Sequence, residues 1–91
     1  MPTVAVTLVS KPGCHLCDAA RDVVTTVIGE SENAGAVSLE ELSIFDDPAL
    51  MEKYVEEIPV VLINGKVHNI WRVDPERFRS ALDTALLEAS A

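Results

Sequence analysis

A chain of 91 residues, with 48% apolar and 24% charged side chains, holds enough hydrophobic material for one packed domain and is too apolar for a disordered segment. Its formal net charge of −8 sets it against phosphate backbones and anionic membrane surfaces, so neither nucleic acid nor membrane is an expected partner. Two cysteines, three positions apart, are too few and too close for a secreted disulfide scaffold, and the loop they would close is too small to be there for stability.

Residues 3–9 are largely β-branched and apolar and predict a buried strand. No basic region precedes Val4, the apolar run is too short for a secretory leader, and no stretch has the length of a membrane span. The expected setting is therefore cytoplasmic, where thiols are kept reduced. Lys11-Pro12-Gly13 ends the strand and turns the chain. Over residues 14–28, Leu16, Ala19, Ala20, Val23, Val24, Val27 and Ile28 follow the spacing of an amphipathic helix, with Gly29 near its end and a loop over 30–35. Residues 37–44 alternate loosely and predict a second strand. Asp47 and Pro48 supply an N-cap and a first helical residue for a short helix over 49–54. After Glu56-Glu57-Ile58-Pro59, the unbroken apolar run 60–63 suits a central strand. Asn64-Gly65 is a two-residue hairpin signal, so 66–73 is expected to return antiparallel. Asp74-Pro75 opens a last helix, with Phe78, Ala81, Leu82, Ala85 and Leu86 on one face.

The order β-α-β-α-β-β-α predicts an α/β domain spanning residues 1–91. A parallel strand pair is joined by a right-handed crossover, and a late hairpin completes a four-stranded mixed sheet flanked by helices. That is the thioredoxin fold in a minimal form. Cys14-His15-Leu16-Cys17 lies where the first strand passes into the first helix. Two cysteines three apart on a helix share a face and can close a disulfide with little backbone motion. The nucleophile is the thiolate, and the unpaired N–H groups and positive dipole end of a helix N-terminus favour that anion. Cys14 sits at that end and is the expected attacking thiol. Cys17, a turn further in, is the expected resolving thiol, and Lys11 adds a positive charge nearby. His15 either tunes the thiolate or is simply solvated.

The segment Ser10-Lys11-Pro12-Gly13-Cys14-His15-Leu16-Cys17 resembles the active-site segment of glutaredoxins, and Ile58-Pro59 followed by a strand and Asn64-Gly65 resembles their second signature. The resemblance runs over nearly the whole chain and implies a glutaredoxin-like thiol–disulfide oxidoreductase. It would reduce protein or glutathione mixed disulfides, with a thiol reductant as partner and no resident cofactor, glutathione being a co-substrate. It further implies that Cys14 is the nucleophile, that Cys17 resolves, and that Lys11 holds the glutathione carboxylate or the thiolate. Pro59 then matches a cis proline that sets the Ile58 backbone beside Cys14 to pair with an added peptide strand. Read without the resemblance, Pro59 is an ordinary trans proline heading a strand, since cis is the minor form of X-Pro bonds. Two features depart from the pattern: His15-Leu16 stands between the cysteines, and Val67-His68-Asn69-Ile70-Trp71-Arg72-Val73-Asp74 lacks the glycine pair that precedes the helix-opening aspartate. Both count against glutathione as a ligand.

Trp71 is expected to pack on the sheet and Arg72 to pair with one of the many acids, the alternative being that the two form a binding surface. Glu52, Glu56 and Glu57 read as a solvated face. A monomer is expected, and no metal: beyond the cysteines only His15 and His68 offer zinc-type ligands, and His15 lies between the two thiols. The competing class of function is a non-catalytic thioredoxin-fold binding module that docks a partner or handles an iron–sulfur cluster.

Overall fold

The first strand, β1 (Val4–Ser10), pairs with two neighbours of opposite sense, and this fixes the topology. In the computed structural model, which describes residues 3–90, β1 is followed by α1 (His15–Glu30), a 3₁₀ turn (Ala34–Ala36), β2 (Val37–Ser43), α2 (Pro48–Tyr54), β3 (Val60–Ile63), β4 (Lys66–Ile70) and α3 (Pro75–Ser90). The strands lie in the order β2-β1-β3-β4. β1 runs parallel to β2, in register from Val4 opposite Val37 to Ser10 opposite Ser43. It runs antiparallel to β3, which is antiparallel to β4. The mixed four-stranded sheet with three helices is the thioredoxin fold that the order of elements predicts.

Asn64 and Gly65 take φ of 52° and 80°, the pair of positive angles that a tight hairpin between two right-twisted strands requires. The Asn64 side-chain oxygen also accepts the Ala5 N–H at 2.9 Å, fastening the turn to β1. Asp47 caps α2 by accepting the Ala49 N–H at 2.8 Å, and Asp74 accepts the N–H groups of Glu76 and Arg77 at 2.9 and 3.1 Å. Both Asp-Pro pairs thus start helices as their chemistry dictates.

Three expectations change. α1 continues through Gly29 to Glu30, with Ser31 closing it by donating its N–H to the Ile28 carbonyl. β4 stops at Ile70 rather than 73, because Trp71 turns into the left-handed region at φ 67°. β1 is not buried along its whole length. Val4, Val6 and Leu8 are buried on one face while Ala5 on the other is exposed, the period-two alternation of a strand covered fully on one side only.

The core accordingly has two parts. On one face Ala20, Val24 and Val27 of α1 and Phe78 and Leu82 of α3 pack over Val4, Val6, Leu8 and Val61. On the other, Val9, Val60 and Leu62 meet Cys17, Ile44, Tyr54 and Ile58. No helix among the described residues is long and apolar enough to cross a membrane.

Candidate functional site

Gly13, at φ 73°, turns the chain after Pro12. Cys14 follows with extended dihedrals as the N-cap of α1. Its Sγ occupies the place of the usual capping oxygen and accepts the Cys17 N–H at 3.1 Å, while its carbonyl accepts the Asp18 N–H at 3.1 Å. Cys14 and Cys17 are joined as a disulfide, their Cα atoms 5.2 Å apart, within the span a disulfide bridges without backbone movement. The two sulfurs are unequal. Cys17 is 0% exposed, whereas Cys14 is half-buried against the second core cluster. After reduction the capping N–H and the helix N-terminus favour negative charge on the Cys14 sulfur, and Cys17 waits beneath it within bonding range.

The site is held from both sides. Ser10, buried at the end of β1, donates its hydroxyl to Glu41 of β2 at 2.8 Å. Arg21 of α1 reaches across to the same Glu41, 2.6 Å from Nε, and also bonds Asp18 at 2.9 Å. The Arg21 hydrogen bonds hold the Glu41 carboxyl below the usual carboxylate range, with the Ser10 hydroxyl adding to the effect against the opposing cost of burial. This bracket ties the strand that leads into the cysteine loop to the helix that leaves it. On the other side lies Ile58-Pro59, whose peptide bond is cis, with Ile58 buried in the cluster against which Cys14 packs. Of the two readings open for Pro59, the structure has the cis form.

Of the residues singled out from sequence, Cys14, Cys17, Ile58 and Pro59 are brought to one end of the sheet. Lys11 and His15 flank Cys14 in the chain, and both are exposed. Among the described residues no three His, Cys, Asp or Glu side chains gather where they could hold a metal ion.

The readings of Trp71 and Arg72 are corrected. Trp71 is 53% exposed rather than packed on the sheet, and Arg72 has no carboxylate partner among the described residues. The Trp71 backbone N–H donates to the Pro59 carbonyl at 2.8 Å, and its indole Nε1 donates to the Glu56 carbonyl at 3.1 Å. The ring is thereby tied to the loop that carries Ile58 and Pro59. Leu16, placed by its spacing on the apolar helix face, is 41% exposed and lines a trough with Ile70, Trp71 and Arg72 beside the disulfide. Asp74 spends one carboxylate oxygen on capping α3.

Comparison with known proteins gives the family and the fold. Residues 5–83 match the family model described as a glutaredoxin-like domain (DUF836). A glutaredoxin-like protein of Dictyostelium discoideum is 25% identical over 79 residues, covering 85% of this chain and 73% of that one. An uncharacterized protein of Mycobacterium tuberculosis is 25% identical over 76 residues, covering 82% and 78%. Among solved structures, a structural-genomics target from X. campestris aligns with a TM-score of 0.68 at 28% identity, over 87% of this chain and 96% of its own. A chloroplastic thioredoxin z aligns with a TM-score of 0.74 at 13% identity, over 94% and 80%, a likeness of fold.

Proposed function

Since the chain belongs to the glutaredoxin-like domain family, we propose that it is a thiol–disulfide oxidoreductase working through Cys14 and Cys17. The observation that carries this reading is the asymmetry of the pair. A partly buried Cys14, its sulfur capped by a helix N–H, is paired with a fully buried Cys17 within disulfide range.

In the reduced protein the Cys14 thiolate attacks one sulfur of a substrate disulfide. A Cys14–substrate bond forms, the substrate's own bond breaks, and the first substrate thiolate departs. Cys17, deprotonated, then attacks the Cys14 sulfur, which releases the second substrate thiolate and leaves the Cys14–Cys17 disulfide. Two electrons have passed to the substrate, and its two thiolates take up the two protons the cysteines gave up. Two equivalents of an external thiol restore the dithiol. Lys11 adds positive potential beside Cys14, and His15 tunes the same sulfur from the first helical position. The backbone at Ile58-Pro59 receives an extended substrate segment. The reaction suits a protein disulfide or a glutathione mixed disulfide, and a cytoplasmic setting would keep the dithiol reduced.

The test is equilibration in graded glutathione redox buffers, followed by thiol trapping and mass measurement. A reversible loss of two thiols is expected, with a midpoint between roughly −120 and −270 mV. Cys14→Ser is expected to lose all disulfide reduction, and Cys17→Ser to accumulate a mixed disulfide on Cys14. Cysteines that remain reduced throughout, or a fully active Cys14→Ser variant, would refute the reading.

A further inference from the structure

An apolar trough runs past Leu16, which stands between Cys14 and Cys17 in the chain. Leu16, Ala19 and Val23 of α1 form one side, and Ile70, Trp71 and Arg72 at the end of β4 form the other. The chain carries 15 Asp and Glu against 7 Lys and Arg, yet among the residues that line the trough the one charged side chain is the cation Arg72. That cation has no carboxylate partner among the described residues, although an acidic chain offers many.

Trp71 is anchored at both its backbone and its ring. A tryptophan at φ 67° is an outlier, since only glycine and, less often, asparagine and aspartate occupy that region readily. Two hydrogen bonds hold it there, from its backbone to Pro59 and from its indole to Glu56, and the ring stays 53% exposed beside Leu16. A strained backbone that displays a large apolar ring next to a reactive pair points to recognition.

Building on the oxidoreductase reading, we propose that this trough selects the substrate. It takes an extended segment of a disulfide-bearing protein, with an apolar side chain seated against Leu16 and Trp71 and a neighbouring carboxylate on Arg72. Charge complementarity names the acid: the one charged side chain that lines the trough is positive and has no carboxylate partner among the described residues. Glutathione offers a carboxylate but no apolar side chain to fill the trough, so it is the poorer ligand.

Trp71 is the only tryptophan in the chain, so its fluorescence reports the trough directly. The oxidised protein would be titrated with a short peptide in which serine replaces the cysteine and is flanked by leucine and aspartate. A saturable change in fluorescence is expected. The peptide with lysine in place of aspartate should bind about fivefold more weakly, the scale of one exposed ion pair. S-methylglutathione should bind about tenfold more weakly for want of the leucine. In Arg72→Glu, an exposed position, the preference between the aspartate and lysine peptides should reverse. Equal affinity for the two peptides, or no response from Trp71, would overturn the proposal.

Turnover of 2-hydroxyethyl disulfide by the wild-type protein separates the two readings. Turnover without peptide selectivity sinks the trough and leaves the oxidoreductase. Selective binding without turnover of any disulfide sinks the oxidoreductase and leaves the trough's occupant established.

Discussion

On one face of the sheet two helices of 16 residues each cover Val4, Val6, Leu8 and Val61; on the other, α2 with 7 residues helps to cover only Val9, Val60 and Leu62, at the end where the cysteines lie. Every buried residue of the first cluster is apolar, and the cluster holds neither cysteine. The second cluster holds Cys17 and Ile58, with Cys14 packed on its edge. The first face therefore supplies the stability that lets the second place the Cys14–Cys17 pair at a thinly covered end. A small domain has little free energy to spare, so such a division concentrates the cost of exposure at the end where the proposed function has a substrate enter.

The sharpest way to break this comparison is to cut into both faces. Phe78, at 0% exposure, is the largest side chain of the first face, and Phe78→Ala should cost about 3–5 kcal/mol in urea denaturation. The fraction that stays folded should keep the wild-type Cys14–Cys17 potential. Ile44→Val, in the second cluster, should cost only about 0.5–1.5 kcal/mol, yet shift that potential, because the cluster sets the position of Cys17. If Phe78→Ala moved the potential and Ile44→Val did not, the division of labour would be wrong.

A smaller effect is expected at the start of α3. Asp74→Ala leaves the N–H groups of Glu76 and Arg77 without their acceptor and should cost about 1 kcal/mol, measured the same way. Were Asp74 held for a ligand rather than for the helix, the substitution would weaken ligand binding and leave stability unchanged.

Much of the scaffold was legible in the sequence because its signals are local. The Asn64-Gly65 turn, the two Asp-Pro helix starts, the apolar run 60–63 and the cysteine spacing each depend on residues a few positions apart. What was not legible depends on distant pairs. The Ser10–Glu41 bond joins residues 31 apart, and Arg21–Glu41 joins residues 20 apart, so neither has a signature in a window. Trp71 misled for a different reason. Tryptophan at a positive φ contradicts the local preference for glycine, and its indole partner lies 15 residues away. Leu16 fitted the helical spacing, but its neighbours across the trough are Ile70, Trp71 and Arg72, and they leave it at a rim. The helical period places a side chain on a face; it does not say how far the covering elements extend.

The smallest expected effect concerns His68, which lies in a β4 irregularity: Val61 faces Asn69 while Leu62 faces Val67, leaving His68 as the extra residue. Its ring meets Phe78, centroids 5.9 Å apart, and its Nε2 is buried without a hydrogen-bond partner among the described residues. Burial, and secondarily the positive Arg77, lower its affinity for a proton below that of an ordinary histidine. The unfolded chain thus binds a proton more readily than the folded one. The stability this group allows is fully present above the unfolded value of about 6.5 and is lost as pH falls through that value toward the lower folded one. Glu41 acts in a separate window. Its depressed folded value makes its contribution complete above about 4.3 and lost only in stronger acid. Unfolding followed from pH 8 to pH 5 should therefore show a modest decline in the wild-type chain. His68→Phe, which keeps a ring against Phe78 and removes the orphaned nitrogen, should flatten it. An unchanged slope in that variant would assign the decline to another group and leave the buried nitrogen without a thermodynamic consequence in this range.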